Sequence, residues 1–175
     1  MQSHKSKIFM LTRSGLCAAI LCIVSPFVIP FGAIPFSLAI MAVMLVSNIF
    51  SIKESVIAVL LFILLGAIGI PVFSGFQSGF GVLTGPTGGF ILSYIPVLAI
   101  VSLSRRQKLW LRLIVGFGAL SLCYLIGTAH FMVVTGHHGF VSALTVCVAP
   151  FALADIIKVI LSAYVGGKIN QKLEI

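Results

Sequence analysis

Asp155 and Lys158 stand three positions apart inside a long apolar run, Pro150 to about Lys168, near the end of the chain. On a helix that spacing puts both side chains on one face, within reach of each other. A charge at the middle of a bare membrane helix costs about 2.5–3.5 kcal/mol on insertion scales, so such residues turn to a bundle interior and a partner. Two readings fit the pair. One is an ion pair that sets helix packing; the other is a grip on a polar ligand, the carboxylate accepting from N–H groups and the ammonium donating to oxygens. If the helix begins at Pro150, Asp155 lies about 8 Å below its outer end. A site there is entered from outside.

The second stretch able to do chemistry runs from Gly69 to Phe90, with glycines at 69, 75, 79, 81, 85, 88 and 89. Glycine permits tight turns and lets backbone approach a ligand, and non-helical backbone at membrane depth persists only where protein buries it or water reaches it. Pro86-Thr87-Gly88 then opens a helix whose first N–H groups, with the Thr87 hydroxyl, offer donors to an anion. His130, His137 and His138 do not make a metal site. The last two are adjacent, pointing apart on a helix, and lack the four-residue spacing of a ligand pair. The four cysteines, Cys17, Cys22, Cys123 and Cys147, all lie in apolar runs without a Cys-x-x-Cys pair, and read as small packing residues.

The elements that carry these residues follow from composition. Of 175 residues 60% are hydrophobic and 8% charged, with a mean hydropathy of +1.25. A soluble domain keeps about a quarter of its residues charged; this chain has three acids, Glu54, Asp155 and Glu174. Its outside must face lipid. Apolar runs long enough to cross a bilayer are expected at about 8–28, 35–51, 55–70, 86–104, 109–135 and 150–168. A segment at 139–148, too short to span, is expected as an interfacial or re-entrant helix. The predicted fold is an all-α bundle of six membrane helices in a single domain over 1–175, with a glycine-rich outer loop between the third and fourth. With both ends inside, every Lys and Arg except Lys158 falls in an inner segment, which is the positive-inside pattern. The same distribution accounts for the net charge of +8, and no basic stripe with interleaved aromatics suggests nucleic acid. Trp110 and Arg112, beside the basic loop, are expected as interfacial anchors.

The string Gly69-Ile-Pro-Val-Phe-x-Gly75, followed by Leu83-x-Gly-Pro-Thr-Gly-Gly-Phe90, resembles the signature of the BioY family. These are the biotin-specific substrate-binding (S) components of energy-coupling-factor (ECF) transporters. The resemblance extends to Ile34-Pro35-Phe36-Ser37 and to Pro150-Phe151-x3-Asp155-x2-Lys158, in order across nearly the whole chain. It departs from the family pattern at Ala39, at Phe90 where a tyrosine is usual, and at Ala154. The resemblance implies six helices, biotin capture from the outer face of a bacterial cell membrane, and docking on a transmembrane coupling (T) subunit with two ATPases. Biotin offers a ureido ring, an apolar thioether ring and a carboxylate tail. Asp155 can accept from a ureido N–H, and Lys158 can donate to the ureido oxygen or to the tail. Gln77, Thr87 and the N–H groups around Gly75 and Gly88 suit the other polar end, Phe73, Phe90 and Tyr94 suit the bicycle, and Ser37 joins them through the matching motif.

In the first helix, Ser14, Gly15, Ala18, Ala19 and Cys22 form a strip of small residues, which lets membrane helices approach closely. Packing within the bundle is one use; by resemblance to other S components, docking on the coupling subunit is the other. No cofactor is expected. The only Gly-Lys, Gly167-Lys168, is followed by Ile169, so the chain lacks a phosphate-binding loop and ATP would be hydrolysed only by partner subunits. The alternatives are a solitary biotin carrier and an S component for another vitamin. A remoter one is an intramembrane protease using Ser78 and His130, which lacks the glycine two positions before the serine.

Overall fold

The computed structural model describes residues 2–29, 36–136 and 138–173. Among them lie eight helices: α1 (Gln2–Val24), α2 (Ala39–Ile49), α3 (Ile52–Ala67), α4 (Phe80–Thr84), α5 (Gly88–Leu103), α6 (Leu109–Thr135), α7 (Phe140–Cys147) and α8 (Ala152–Leu173). Among the described residues a two-residue antiparallel ladder joins β1 (Val28–Ile29) to β2 (Phe36–Ser37), and a single bridge pairs Phe73 with Gln77.

Local chemistry explains where these elements stop. Ser51 and Glu54 form a capping box, Glu54 Oε2 accepting the Ser51 N–H at 2.8 Å and Ser51 Oγ accepting the Glu54 N–H at 3.5 Å. That fixes the start of α3 at Ile52, three residues before the expected position. The expected second span, 35–51, contracts to the 11 residues of α2. Pro35 lies outside the described residues. Ser37 is held extended by its pairing with Val28, and the Leu38 N–H donates to Phe27 O at 3.2 Å. Helix can begin only beyond that hairpin. Ser37 Oγ then accepts the Ala39 N–H at 3.0 Å. The glycine-rich segment is also more ordered than a loop. It contains the short α4, and Gly75, at φ +74, occupies the tight turn closed by Phe73 N–H to Gln77 O at 3.1 Å.

By length and composition, Lys7–Val24 within α1 and the whole of α6 are apolar and long enough to cross a membrane. α7 and α8 pass that test only together, bent by 60° at their junction. At about 1.5 Å per residue α2 reaches about 16 Å, half of a hydrocarbon core. The bundle packs α5 on α6, α2 on α8 and α1 on α3, with α2 and α3 also against α5. Leu21, Val43, Val46, Val59, Phe62, Val97 and Leu98 are fully buried between them. Outside, Ile23, Leu64, Leu103, Val133 and Leu153 are more than half exposed, an apolar exterior suited to lipid.

Arg112 is not the surface anchor its position beside Trp110 suggests. Trp110 is 59% exposed, whereas Arg112 is buried at 4%. Its guanidinium donates to Asn48 Oδ1 from Nε at 3.0 Å and from a terminal nitrogen at 2.8 Å, and to Asn48 O at 3.3 Å. Gly166 and Gly167 of α8 make the room, since a Cβ on Gly167 would strike the guanidinium. The carbonyl of Asn48 is one of those a helix leaves unpaired in its last turn. Arg112 therefore closes the end of α2.

Candidate functional site

α8 starts where Phe151 O accepts the Asp155 N–H at 2.9 Å, so Asp155 falls in the first turn and Lys158 one turn later. Both are buried, with side chains 8% and 6% exposed, and Lys158 Nζ lies 2.7 Å from Asp155 Oδ1. The ammonium also donates to Ser37 O at 2.7 Å. On the other side of the carboxylate, the Tyr124 hydroxyl of α6 donates to Asp155 Oδ2 at 2.5 Å. Two helices and the hairpin thus meet in one line of hydrogen bonds: Tyr124, Asp155, Lys158, Ser37. Beyond it, Ser74 Oγ donates to Ser37 Oγ at 2.7 Å, and the Gly75 N–H donates to Pro26 O at 2.9 Å. The segment after α3 is tied to the end of α1 and to β2.

This line borders a cavity of about 410 Å³, within the range that holds small organic ligands. Eight of the ten residues singled out for ligand contact line it: Ser37, Phe73, Gln77, Thr87, Phe90, Tyr94, Asp155 and Lys158. Ile40, Ile91, Leu120, Phe131 and Phe151 complete an apolar wall, with Cys123 and Cys147 beside them. Gly75 and Gly88 are not part of the lining. Gly75 serves the turn already described, and a Cβ at Gly88 would collide with Leu83 O, so that glycine lets α4 and α5 meet. Thr87 precedes α5 without a side-chain cap bond, at the cavity wall. The wall position of Phe90 is set from behind. Its ring lies on Gly127 of α6, where any Cβ would overlap it.

Tyr124 escaped notice in the sequence because an aromatic residue in an apolar helix is ordinary, and its partner is 31 residues away. Ser74 was missed likewise as one more polar residue of a glycine-rich stretch. His130 Nε2 is 3.1 Å from Gly85 O, and a Cβ on Gly89 would strike the His130 side chain; the histidine packs α6 against the start of α5. His137 lies outside the described residues, as do Ile34 and Pro35. Among the described residues no three His, Cys, Asp or Glu side chains gather for a metal. The small-residue strip of α1 divides. Ser14 and Ala18 are buried against the bundle, Cys22 is half-buried, and Gly15 and Ala19 face outward.

An apolar helical bundle with a buried acid–amine pair beside an aromatic-walled cavity defines a membrane protein built to hold a small polar molecule. The comparisons narrow that class. The BioY family model matches residues 1–175. The chain is 38% identical over 166 residues to the biotin transporter BioY2 of Lactococcus lactis subsp. cremoris, covering 93% of this chain and 91% of that protein. It is 32% identical over 168 residues to the biotin transporter BioY of Thermotoga maritima, covering 94% and 97%. The fold is similar to the crystal structure of the S-component for biotin from an ECF-type ABC transporter, with a TM-score of 0.85 at 22% identity over 95% of this chain and 93% of that one. This chain belongs to the BioY family.

Proposed function

We propose that this chain binds biotin as the substrate-capture subunit of an ECF-type ABC transporter. The observation that carries the reading is the Asp155–Lys158 pair opening on a cavity of vitamin size, in a chain whose curated relatives are biotin transporters. In this reading Asp155 accepts a ureido N–H, a charge-assisted bond. Lys158 exchanges one of its present contacts for the ureido oxygen or the tail carboxylate. Gln77 and Thr87 receive the remaining polar end, while Phe73, Phe90 and Tyr94 pack on the ring system. Gly75 and Gly88 act at one remove, shaping the loop and the α4–α5 contact.

The longer helices are read as six crossings, with both termini and the basic loop at 104–112 on the cytoplasmic side of a bacterial cell membrane. Ligand then enters from the outer side. The partners are a transmembrane T subunit and two ATPases, which hydrolyse ATP; the chain itself needs no cofactor and is not an enzyme. Gly15 and Ala19, the outward half of the small-residue strip, are the docking face on α1. The test is mass spectrometry of the small molecule released from the purified protein, followed by titration with biotin. Biotin released, and saturable binding weakened at least tenfold by Asp155→Asn, is the expected result. An unliganded protein that ignores added biotin would overturn the reading.

A further inference from the structure

Tyr124 has no part in the ligand contacts assigned so far, yet it lines the cavity and makes one of the shortest side-chain contacts in the chain, to Asp155. A phenol owns a single hydrogen. With that hydrogen committed to Asp155 Oδ2, the phenolic oxygen can meet a ligand only as an acceptor. The carboxylate beside it is also acceptor-only when ionised. Oδ1 is held by Lys158 at 2.7 Å and Oδ2 by Tyr124 at 2.5 Å, so the carboxyl plane is fixed from both sides by groups on α6 and α8. Burial makes the arrangement consequential, because Asp155 and its partner Lys158 are each at least nine-tenths buried and a lost donor leaves a buried acceptor short of a partner.

We infer that Tyr124 is a positioning and specificity-determining residue of this site: it orients the Asp155 carboxylate and, with it, presents a paired acceptor surface that selects ligands carrying ring N–H donors. The inference rests on the biotin reading above and names the chemistry of its selectivity. A cyclic urea satisfies the pair through N–H. A ligand that brings a ring carbonyl, ether or sulfur to the same place would set acceptor against acceptor, leaving buried groups unpaired, and sites of this kind reject such analogues strongly.

The experiment is a double-mutant cycle on the full-length protein in detergent, with biotin and with lipoate, which keeps an acyl carboxylate but has no urea, as probes. Tyr124→Phe keeps the ring and should cost about tenfold to a hundredfold in biotin affinity, the range for a hydrogen bond to a charged group. The same substitution in an Asp155→Asn background should cost under threefold, because the phenol then has no ionised partner to orient. The ratio of biotin to lipoate affinity should fall in parallel. An unchanged biotin affinity in Tyr124→Phe would overturn the inference, as would an equal loss in both backgrounds, which a purely packing role predicts. Wild-type protein that fails to bind biotin would instead overturn the function on which the inference rests. Should the variant not fold, the wild type serves. With three tyrosines in the chain, the infrared C–O band assigned to Tyr124 by isotope labelling should shift when biotin is added, and a band that stays put refutes an acceptor contact.

Discussion

Lys158→Met separates the stability of the site from its use. The ammonium it removes lies 2.7 Å from both Asp155 Oδ1 and Ser37 O. Methionine roughly fills the volume but leaves the Asp155 carboxylate buried, with the Tyr124 hydroxyl still donating to it. Breaking a buried pair in this way costs about 3–5 kcal/mol, whereas replacing both partners by apolar or neutral groups is close to neutral. For a chain of this size about 1 kcal/mol moves the melting temperature by roughly 2–4 °C, so the single variant should melt about 6–20 °C lower. Asp155→Leu combined with Lys158→Met should recover most of that loss. Thermal unfolding of ligand-free protein in detergent reads the stability, and calorimetric titration with biotin reads the function. The double variant should be stable and unable to bind. If it melts as low as the single variant, the two side chains are not energetically coupled. If it binds biotin as the wild type does, the pair is packing and the ligand is held elsewhere.

Other substitutions probe the surrounding structure. Gly127→Ala places a methyl where the Phe90 ring now lies; overpacking of about 1–3 kcal/mol should displace that wall and lower biotin affinity about tenfold in the same titration. Arg112→Lys keeps the charge but not the fork onto Asn48, and should lower the melting temperature by several degrees with little effect on biotin affinity once folded. Cys123 and Cys147 line the cavity, unlike Cys17 and Cys22. Biotin should slow modification of the first two by a small methanethiosulfonate and leave Cys22 unaffected, as read by peptide mass spectrometry. Ala19→Trp, on the outward face of α1, should block assembly with the coupling subunit while sparing biotin binding, whereas Ala18→Trp, buried at 5% exposure, should destabilise the chain itself.

How much of this was legible in the sequence depended on rarity. In a chain with three acids, Asp155 and Lys158 announce themselves, and their three-residue spacing is enough to pair them. The apolar runs and the basic loop at 104–112 mark the helices and their breaks. The Ser51-x-x-Glu54 pattern carries the start of α3, although the apolar run alone placed that start at 55. What stayed hidden were contacts between elements distant along the chain. Arg112 reads as an interfacial residue until Asn48, 64 positions away, is brought to it. The late start of α2 comes from a hairpin with Val28 that no periodicity in 35–51 encodes. Tyr124 becomes a site residue only when α6 and α8 are packed together.

The two cations described at α2 act on opposite ends of the same short rod. Lys158 grasps the carbonyl just before its first turn, and Arg112 the carbonyl in its last. The second fastening, dry and threefold, has no reason to respond to cargo. The first is shared with the acid that faces the cavity. A guest that draws the ammonium toward itself would therefore release a carbonyl at one end alone, where the pairing of Ser37 with Val28 still holds the chain.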